Sequence, residues 1–555
     1  MRASAPPSRP PARPRRRPGA GAPRGSRLAL PAGLLVLALA GAHIFYLRFV
    51  CDDAFISFRY AANLAHGHGL VYNPGEHVEG YSNFLWTLLA AAVIRLGGRP
   101  EQAMPMVSAL FALLTLGLVM AWARRRRCGP LEAGVLLAAN TGFAAWGTSG
   151  LETALFGALI TAGCLAVASA LEPARLPAPR AEITWPILGA FLLALASLTR
   201  PEGMLVSGCA GAFLLIEAFR RRLPWMSWCA WAAVWLAGVV PHLAWRHAYY
   251  GRWFPNSFTI KTPGLELVGA GAGYVAAAFL HLHLYLLAIP IVAGLLARKS
   301  GGLGARPSAL LACVTLPFLL YVCTTGGDFM PLYRFVVPLL PLIALAAGAT
   351  LAGVTSHPRG RGAPAPGRAW ALVLLVPYVL LNTLASRNEQ EPWDRGYVAS
   401  VGTARLQVED WGRIGRLLAD VCLPTDTLAT TAAGIIPYRA GLYTIDLLGL
   451  NAPDLDHFRR RESDRPGHRI LLSEDQLHRR RPQILLGHPM VRPTQQHLGF
   501  SLDLEPGWRE RILAGYSLVG FTLHGTPTRF VGCMVRNDVL PRVLQASDRR
   551  PLPAP

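Results

Sequence analysis

The chain has 555 residues, of which 52% are hydrophobic and only 15% are charged, with a mean hydropathy of +0.33. That balance excludes a soluble enzyme of this size, and repeated apolar runs near twenty residues mark a polytopic helical membrane protein. A formal net charge of +22 would suggest nucleic acid on a soluble domain, but these arginines sit in short blocks between apolar runs rather than on one surface, which excludes a nucleic-acid partner.

Residues 1–27 carry Arg9, Arg13, Arg15, Arg16, Arg17 and Arg24 among prolines, alanines and glycines, too polar to bury a core, and are expected as a disordered basic tail. The apolar run that follows is long enough to span and is read as a retained first helix, not a cleaved signal. Spans are expected at 28–48, 103–123, 131–147, 153–171, 183–198, 204–219, 226–245, 274–297, 307–323, 335–353 and 369–386, about eleven transmembrane helices in all. The blocks Arg124 to Arg127, Arg175 with Arg180, Arg220 to Arg222, Arg298 with Lys299 and Arg306, and Arg359 with Arg361 and Arg368 fall at every second loop. By the positive-inside rule they put one face and the N-terminus in the cytoplasm. Phe84 to Leu96 is apolar but too short to cross, and is expected to lie along the outer interface.

The other face collects the unusual polar residues. The first outer loop, 49–102, opens with Asp52 and Asp53, whose adjacent carboxylates are costly beside hydrocarbon and therefore mark a functional site. Either alone could cap the helix that starts there, but two exceed what a cap needs, and one held ionised would serve as a general base toward a hydroxyl. The turn-rich stretch from His66 to Asn83 places Glu79, Tyr81 and Asn83 as ligand-facing or loop-ordering groups; its histidines lack the further ligands of a metal site. Arg200 and Glu202, between two spans, either pair with one another or leave Arg200 to hold a phosphate. Lys261, one of only two lysines, would join Arg200 and Arg334 in a cationic patch suited to a lipid phosphate, or anchor the interface.

After the last span, residues 387–555 contain strand-length apolar runs bounded by Gly, Pro or Asp, and are expected to form an α/β domain outside the cytoplasm. Cys422 and Cys533 lie in this region, where export would permit a disulfide. The nine cysteines show no zinc spacing, and no P-loop or dinucleotide fingerprint is present.

Taken together, Asp52 to Tyr60, Gly69 to Glu76 and Glu79 to Trp86 resemble the first outer loop of GT-C glycosyltransferases of the terminal arabinofuranosyltransferase type. Ser149-Gly150-Leu151-Glu152, Arg200-Pro201-Glu202-Gly203, Pro255-Asn256-Ser257 with Lys261, Gly326-Gly327-Asp328 with Arg334, and Asp446 to Asn451 are also similar to that family. The resemblance implies a membrane domain, 28–386, that transfers a sugar, arabinofuranose in that family, from a polyprenyl-phosphate donor to an extracytoplasmic glycan, lipid or protein acceptor. It implies that Asp52 or Asp53 acts on the acceptor hydroxyl, without choosing between them. It extends substrate contact to Arg59, Glu79, Tyr81, Asn83, Glu152, Arg200, Glu202, Asn256, Lys261, Asp328 and Arg334. No metal ligand is assigned, and a divalent cation is left open. The same hydropathy would serve a transporter or flippase of lipid-linked saccharides, which predicts ionisable residues at mid-membrane, broken helices and repeated halves.

Overall fold

The computed structural model describes residues 25–171, 181–260, 265–296, 303–355, 366–395, 398–460, 468–496 and 498–547. Residues 1–24 of the basic tail, Arg175, Arg180, Lys261, Lys299, Arg359 and Arg361 lie outside the described residues.

The chain is a multi-pass helical membrane protein. Among the described residues eight helices are long and apolar enough to cross a membrane by themselves: Pro100–Arg126, Thr153–Ala170, Glu182–Thr199, Glu202–Phe219, Trp225–Tyr250, Ala305–Thr324, Pro331–Gly353 and Ala371–Asn388. A ninth is formed if the pair Val268–His281 and Leu284–Leu295, bent by 90°, counts as one span. The shorter apolar helices are Leu30–Tyr46, Phe84–Arg95 and Pro130–Ala139.

Two of the expected spans are broken, for a common reason. The run read as 131–147 stops at Ala139, where Asn140 leaves the helical conformation and its side chain accepts from Phe143 N–H at 3.0 Å to start a new short helix, Thr141–Ala145. The run read as 274–297 turns at His283, a non-glycine residue at φ 54°. The breaks meet, because the Asn140 amide donates to the Leu282 carbonyl at 3.4 Å and to the Tyr378 hydroxyl at 2.8 Å. Thr141 N–H and hydroxyl bond Asn382, and His43 bridges the Ala138 carbonyl to Ser386. Freed backbone groups inside an apolar bundle must find partners within the protein, and these polar side chains supply them.

The Phe84–Arg95 helix is the short element expected, and it packs against the amphipathic helix Asp52–Ala65 of the same loop. Beyond the last span, the helix Val401–Val421 is capped by Ser400, whose hydroxyl accepts from Thr403 N–H at 3.0 Å. It packs beside a six-stranded sheet. Strands Tyr443–Asp446, Thr427–Thr430 and Ile484–Gly487 run parallel in that order. Strand Arg529–Arg536 then pairs antiparallel with Ile484–Gly487 and Val491–Arg492 on one edge and with Tyr516–Leu523 on the other. Cys422 and Cys533 are both free thiols in this structure, not a disulfide.

Candidate active site

The first loop and the C-terminal domain are locked together by hydrogen bonds, and this lock positions the aspartates. Arg59, buried in the helix Asp52–Ala65, donates through Nε to the Tyr72 carbonyl at 2.8 Å. It also donates to the Pro437 and Leu442 carbonyls at 2.7 Å each and to Asn73 Oδ1 at 3.0 Å. Tyr72 donates its hydroxyl to the Ala433 carbonyl at 2.7 Å, and Tyr60 donates to Asn451 Oδ1 at 3.0 Å. Two glycines allow backbone to meet backbone at this seam: a Cβ on Gly80 would strike Asn451 and the Leu450 carbonyl, and one on Gly434 would strike the Asp52 backbone and carboxyl.

Below the seam lies a cavity of about 770 Å³ lined by residues from both halves of the molecule. Asp52, Asp53, Tyr81, Asn83, Glu152, Arg200, Glu202 and Arg334 all line it. Arg200 is clamped between Glu152 at 2.6 Å and Glu202 at 2.8 Å. Glu152 in turn accepts from the Asn83 amide at 2.7 Å, and Asn83 accepts from the Ser57 hydroxyl at 3.0 Å. Arg334 pairs with Asp328 at 2.8 Å, and both are almost fully buried. The chain reaches Arg334 through two consecutive non-glycine residues at positive φ, Leu332 at 52° and Tyr333 at 55°. Such backbone costs energy and persists only where its surroundings enforce it; here the Tyr333 hydroxyl is held by His281 and the ring packs edge-on against Tyr274.

The twin aspartates are not equivalent. The Asp52 carboxyl accepts from Ile435 N–H at 2.8 Å. Burial pushes it up to about 7, against the opposing pull of the Ile435 and Gly434 N–H groups, and the neighbouring Asp53 charge adds to the rise. Asp53 lies within the electrostatic reach of Arg334.

The remaining predicted residues sit away from the cavity wall. Arg59 serves the seam. Asn256 donates to the Ala452 carbonyl at 2.8 Å, again joining the two halves. Glu79 forms a buried pair with Arg246 at 2.9 Å and is pushed up to about 7 by desolvation, which the Arg246 charge opposes. Asp328 pairs with Arg334 and does not itself line the cavity. Lys261 lies outside the described residues. Among those described, no group of three or more His, Cys, Asp or Glu side chains converges as a metal site.

Sequence reasoning missed the upper wall of the cavity, which comes from the C-terminal domain. Gln407, Asp410 and Trp411 of the Val401–Val421 helix, Thr431, His488 and Arg492 line it. No motif joins them: they are brought together by the strand order and by the helix packed beside the sheet.

Comparison with proteins of known structure decides the architecture. ArnT from Cupriavidus metallidurans, solved bound to undecaprenyl phosphate, aligns over 92% of this chain and 98% of its own with a TM-score of 0.57 at 14% identity. The archaeal oligosaccharyltransferase AglB from Archaeoglobus fulgidus aligns over 74% of this chain and 64% of its own, with a TM-score of 0.50 at 11% identity. The chain shares the fold of these two proteins. Within that fold its sequence is similar to two terminal β-(1→2)-arabinofuranosyltransferases. One is from Corynebacterium glutamicum, 30% identical and covering 53% of this chain and 47% of the relative. The other is from Mycobacterium tuberculosis, 29% identical and covering 54% and 52%. The chain thus spans about half the length of the relatives it matches. Residues 399–539 match a family described as "Domain of unknown function (DUF8728)", so the cavity is walled in part by a domain to which that description assigns no role.

Proposed function

We propose that this protein is a membrane glycosyltransferase that moves a sugar, arabinofuranose by analogy with its sequence relatives, from a polyprenyl-phosphate donor to an acceptor at the outer face of a bacterial cytoplasmic membrane. The observation that carries the reading is that Asp53, Arg334 and Arg200 line one cavity, with Asp53 and Arg200 both within electrostatic reach of Arg334. A phosphate leaving group needs cations, an acceptor hydroxyl needs a base, and the two must lie close together.

In this mechanism the isoprenoid tail stays in the bilayer while the phosphate meets Arg334 and Arg200, whose guanidinium forks suit phosphate oxygens. Asp53 takes the proton from the acceptor hydroxyl as its oxygen bonds C1 of the donor sugar. The C1–O bond to phosphate breaks, and the phosphate departs with the bonding electrons toward the arginines. Asp52, committed to the Ile435 N–H, holds the helix start that carries Asp53 and lends its negative field to the electron-poor carbon when ionised. The buried pairs of Arg200 and Arg334 keep both cations oriented before donor arrives.

The experiment is a transfer assay with the full chain in detergent or proteoliposomes, a polyprenyl-phosphate arabinofuranose donor and an arabinofuranosyl oligosaccharide acceptor. The expected result is a longer oligosaccharide and free polyprenyl phosphate, absent with Asp53→Asn. Wild-type protein that consumes no polyprenyl-phosphate sugar, or an Asp53→Asn variant with full activity, would overturn the reading.

A further inference from the structure

Three of the helices that bring residues to the cavity are joined at their other ends by buried charge. Glu152 and Glu202 stand at the starts of Thr153–Ala170 and Glu202–Phe219, and Tyr321 and Thr325 at the end of Ala305–Thr324. About 22 Å along its axis from Glu202, the second of these helices carries Glu217, whose side chain is 2% exposed. A carboxylate there is doubly disfavoured, because it is taken out of water and lies in the last turn of its helix, where the macrodipole is negative. Three arginines offset this. Arg306 Nε, at the start of Ala305–Thr324, lies 2.9 Å from Oε2, while Arg222 Nη1 and Arg220 Nη1 lie 3.5 and 3.9 Å from Oε1. Arg306 also donates to the Leu171 carbonyl at the end of Thr153–Ala170, so the group ties three helix ends together.

The pairing is one-sided. Three guanidiniums face one carboxylate, which leaves two positive charges over, and Arg220 and Arg222 keep 61% and 50% of their side chains exposed. Because these two share one carboxylate oxygen, a single phosphodiester can bridge them, and Glu217 sets their spacing before any ligand arrives. Beside them Phe219, Trp225 and Met226 are exposed, with the Phe219 and Trp225 rings edge-on at 4.7 Å. Tryptophan at the end of a membrane helix sits at the level of the headgroups.

We propose that this cluster binds the headgroup of an anionic phospholipid in the leaflet opposite the cavity. Phosphate oxygens accept from the outward-facing N–H groups of Arg220 and Arg222, and the acyl chains run along the exposed apolar side chains beside them. The inference is independent of the glycosyl-transfer reading.

The test uses the full chain in neutral detergent and follows its melting midpoint during titration with dioctanoyl phosphatidylglycerol, dioctanoyl phosphatidylcholine or inorganic phosphate. Phosphatidylglycerol raises the wild-type midpoint in a saturable way, and the other two do not. Arg220→Gln combined with Arg222→Gln leaves Glu217 its Arg306 partner and weakens the phosphatidylglycerol affinity roughly tenfold or more, the size of one hydrogen bond to a charged group. Arg124→Gln combined with Arg125→Gln removes the same charge from exposed positions at the end of Pro100–Arg126 and leaves the affinity unchanged. An equal loss in the two double variants would overturn the site in favour of a general surface-charge effect. An unchanged affinity without Arg220 and Arg222, or no saturable response in wild type, would overturn it outright. A response that phosphatidylcholine or inorganic phosphate reproduces would overturn the anionic lipid as the ligand.

Discussion

The membrane half of the cavity holds its chemistry as buried, mutually compensated charges, Arg200 between Glu152 and Glu202 and Arg334 on Asp328. The C-terminal half offers half-buried or exposed groups of mixed character, such as Gln407, Thr431 and His488. Charges taken out of water cost more than apolar residues in the same space, so the membrane half spends folding energy to hold a fixed electrostatic pattern. The C-terminal half spends little and can vary. A fixed half suits an invariant phosphate leaving group.

Substitutions at Asp53 should break this contrast most severely. Asp53→Asn removes the proposed base and is expected to lower the transfer rate roughly a hundred- to ten-thousand-fold with membrane insertion and melting unchanged, measured with donor and acceptor saturating. Arg334→Ala comes next, since it strands Asp328 as an unpaired buried carboxylate. A stability loss of about 3–5 kcal/mol should accompany loss of activity, whereas Arg334→Lys should recover much of the stability and less of the rate. Thermal melting and kinetics on the same preparations separate the two.

Gly434→Ala tests the seam between the halves. The added methyl meets the Asp52 backbone, so a cost of about 1–3 kcal/mol is expected, together with faster proteolysis or hydrogen exchange in the C-terminal domain. The smallest effect is in pH dependence. Asp52 ordinarily titrates at 3.8 and is held at about 7 by burial, so between those values the folded protein binds the proton that the unfolded chain has released. Its contribution to stability is full below 3.8, declines as pH rises and is gone above about 7. Asp52→Asn keeps an acceptor for Ile435 N–H and should remove that part of the slope in a melting-midpoint series from pH 4.5 to 8.

Much of the membrane half was legible in the sequence, because each of its polar residues is expensive where it stands. Asp52, Asp53, Glu152, Arg200, Glu202 and Arg334 stood out against apolar surroundings, and the structure gathers them in one cavity. Arg59 and Asn256 stood out equally but bind carbonyls across the seam, since a buried polar group joining two domains has the same sequence appearance as one facing a ligand. Arg246, the partner of Glu79, went unnoticed near the end of a long apolar helix, where an arginine reads as an anchor. The helix breaks at Asn140 and His283 fall on short polar steps, Asn140-Thr141 and His281 with His283, inside runs that are otherwise apolar. The part of the cavity lined by the C-terminal domain was invisible for a different reason: its members come together through strand order, and no local spacing encodes that.

The left-handed pair Leu332-Tyr333 has a consequence for anyone seeking a sturdier version of this protein. Two side-chain-bearing residues held where glycine would rest more comfortably form a spring that the fold keeps compressed. Leu332→Gly should release it, and counting a rise in melting temperature as an improvement would be misplaced, because the same slack would let the guanidinium beyond it wander from its post.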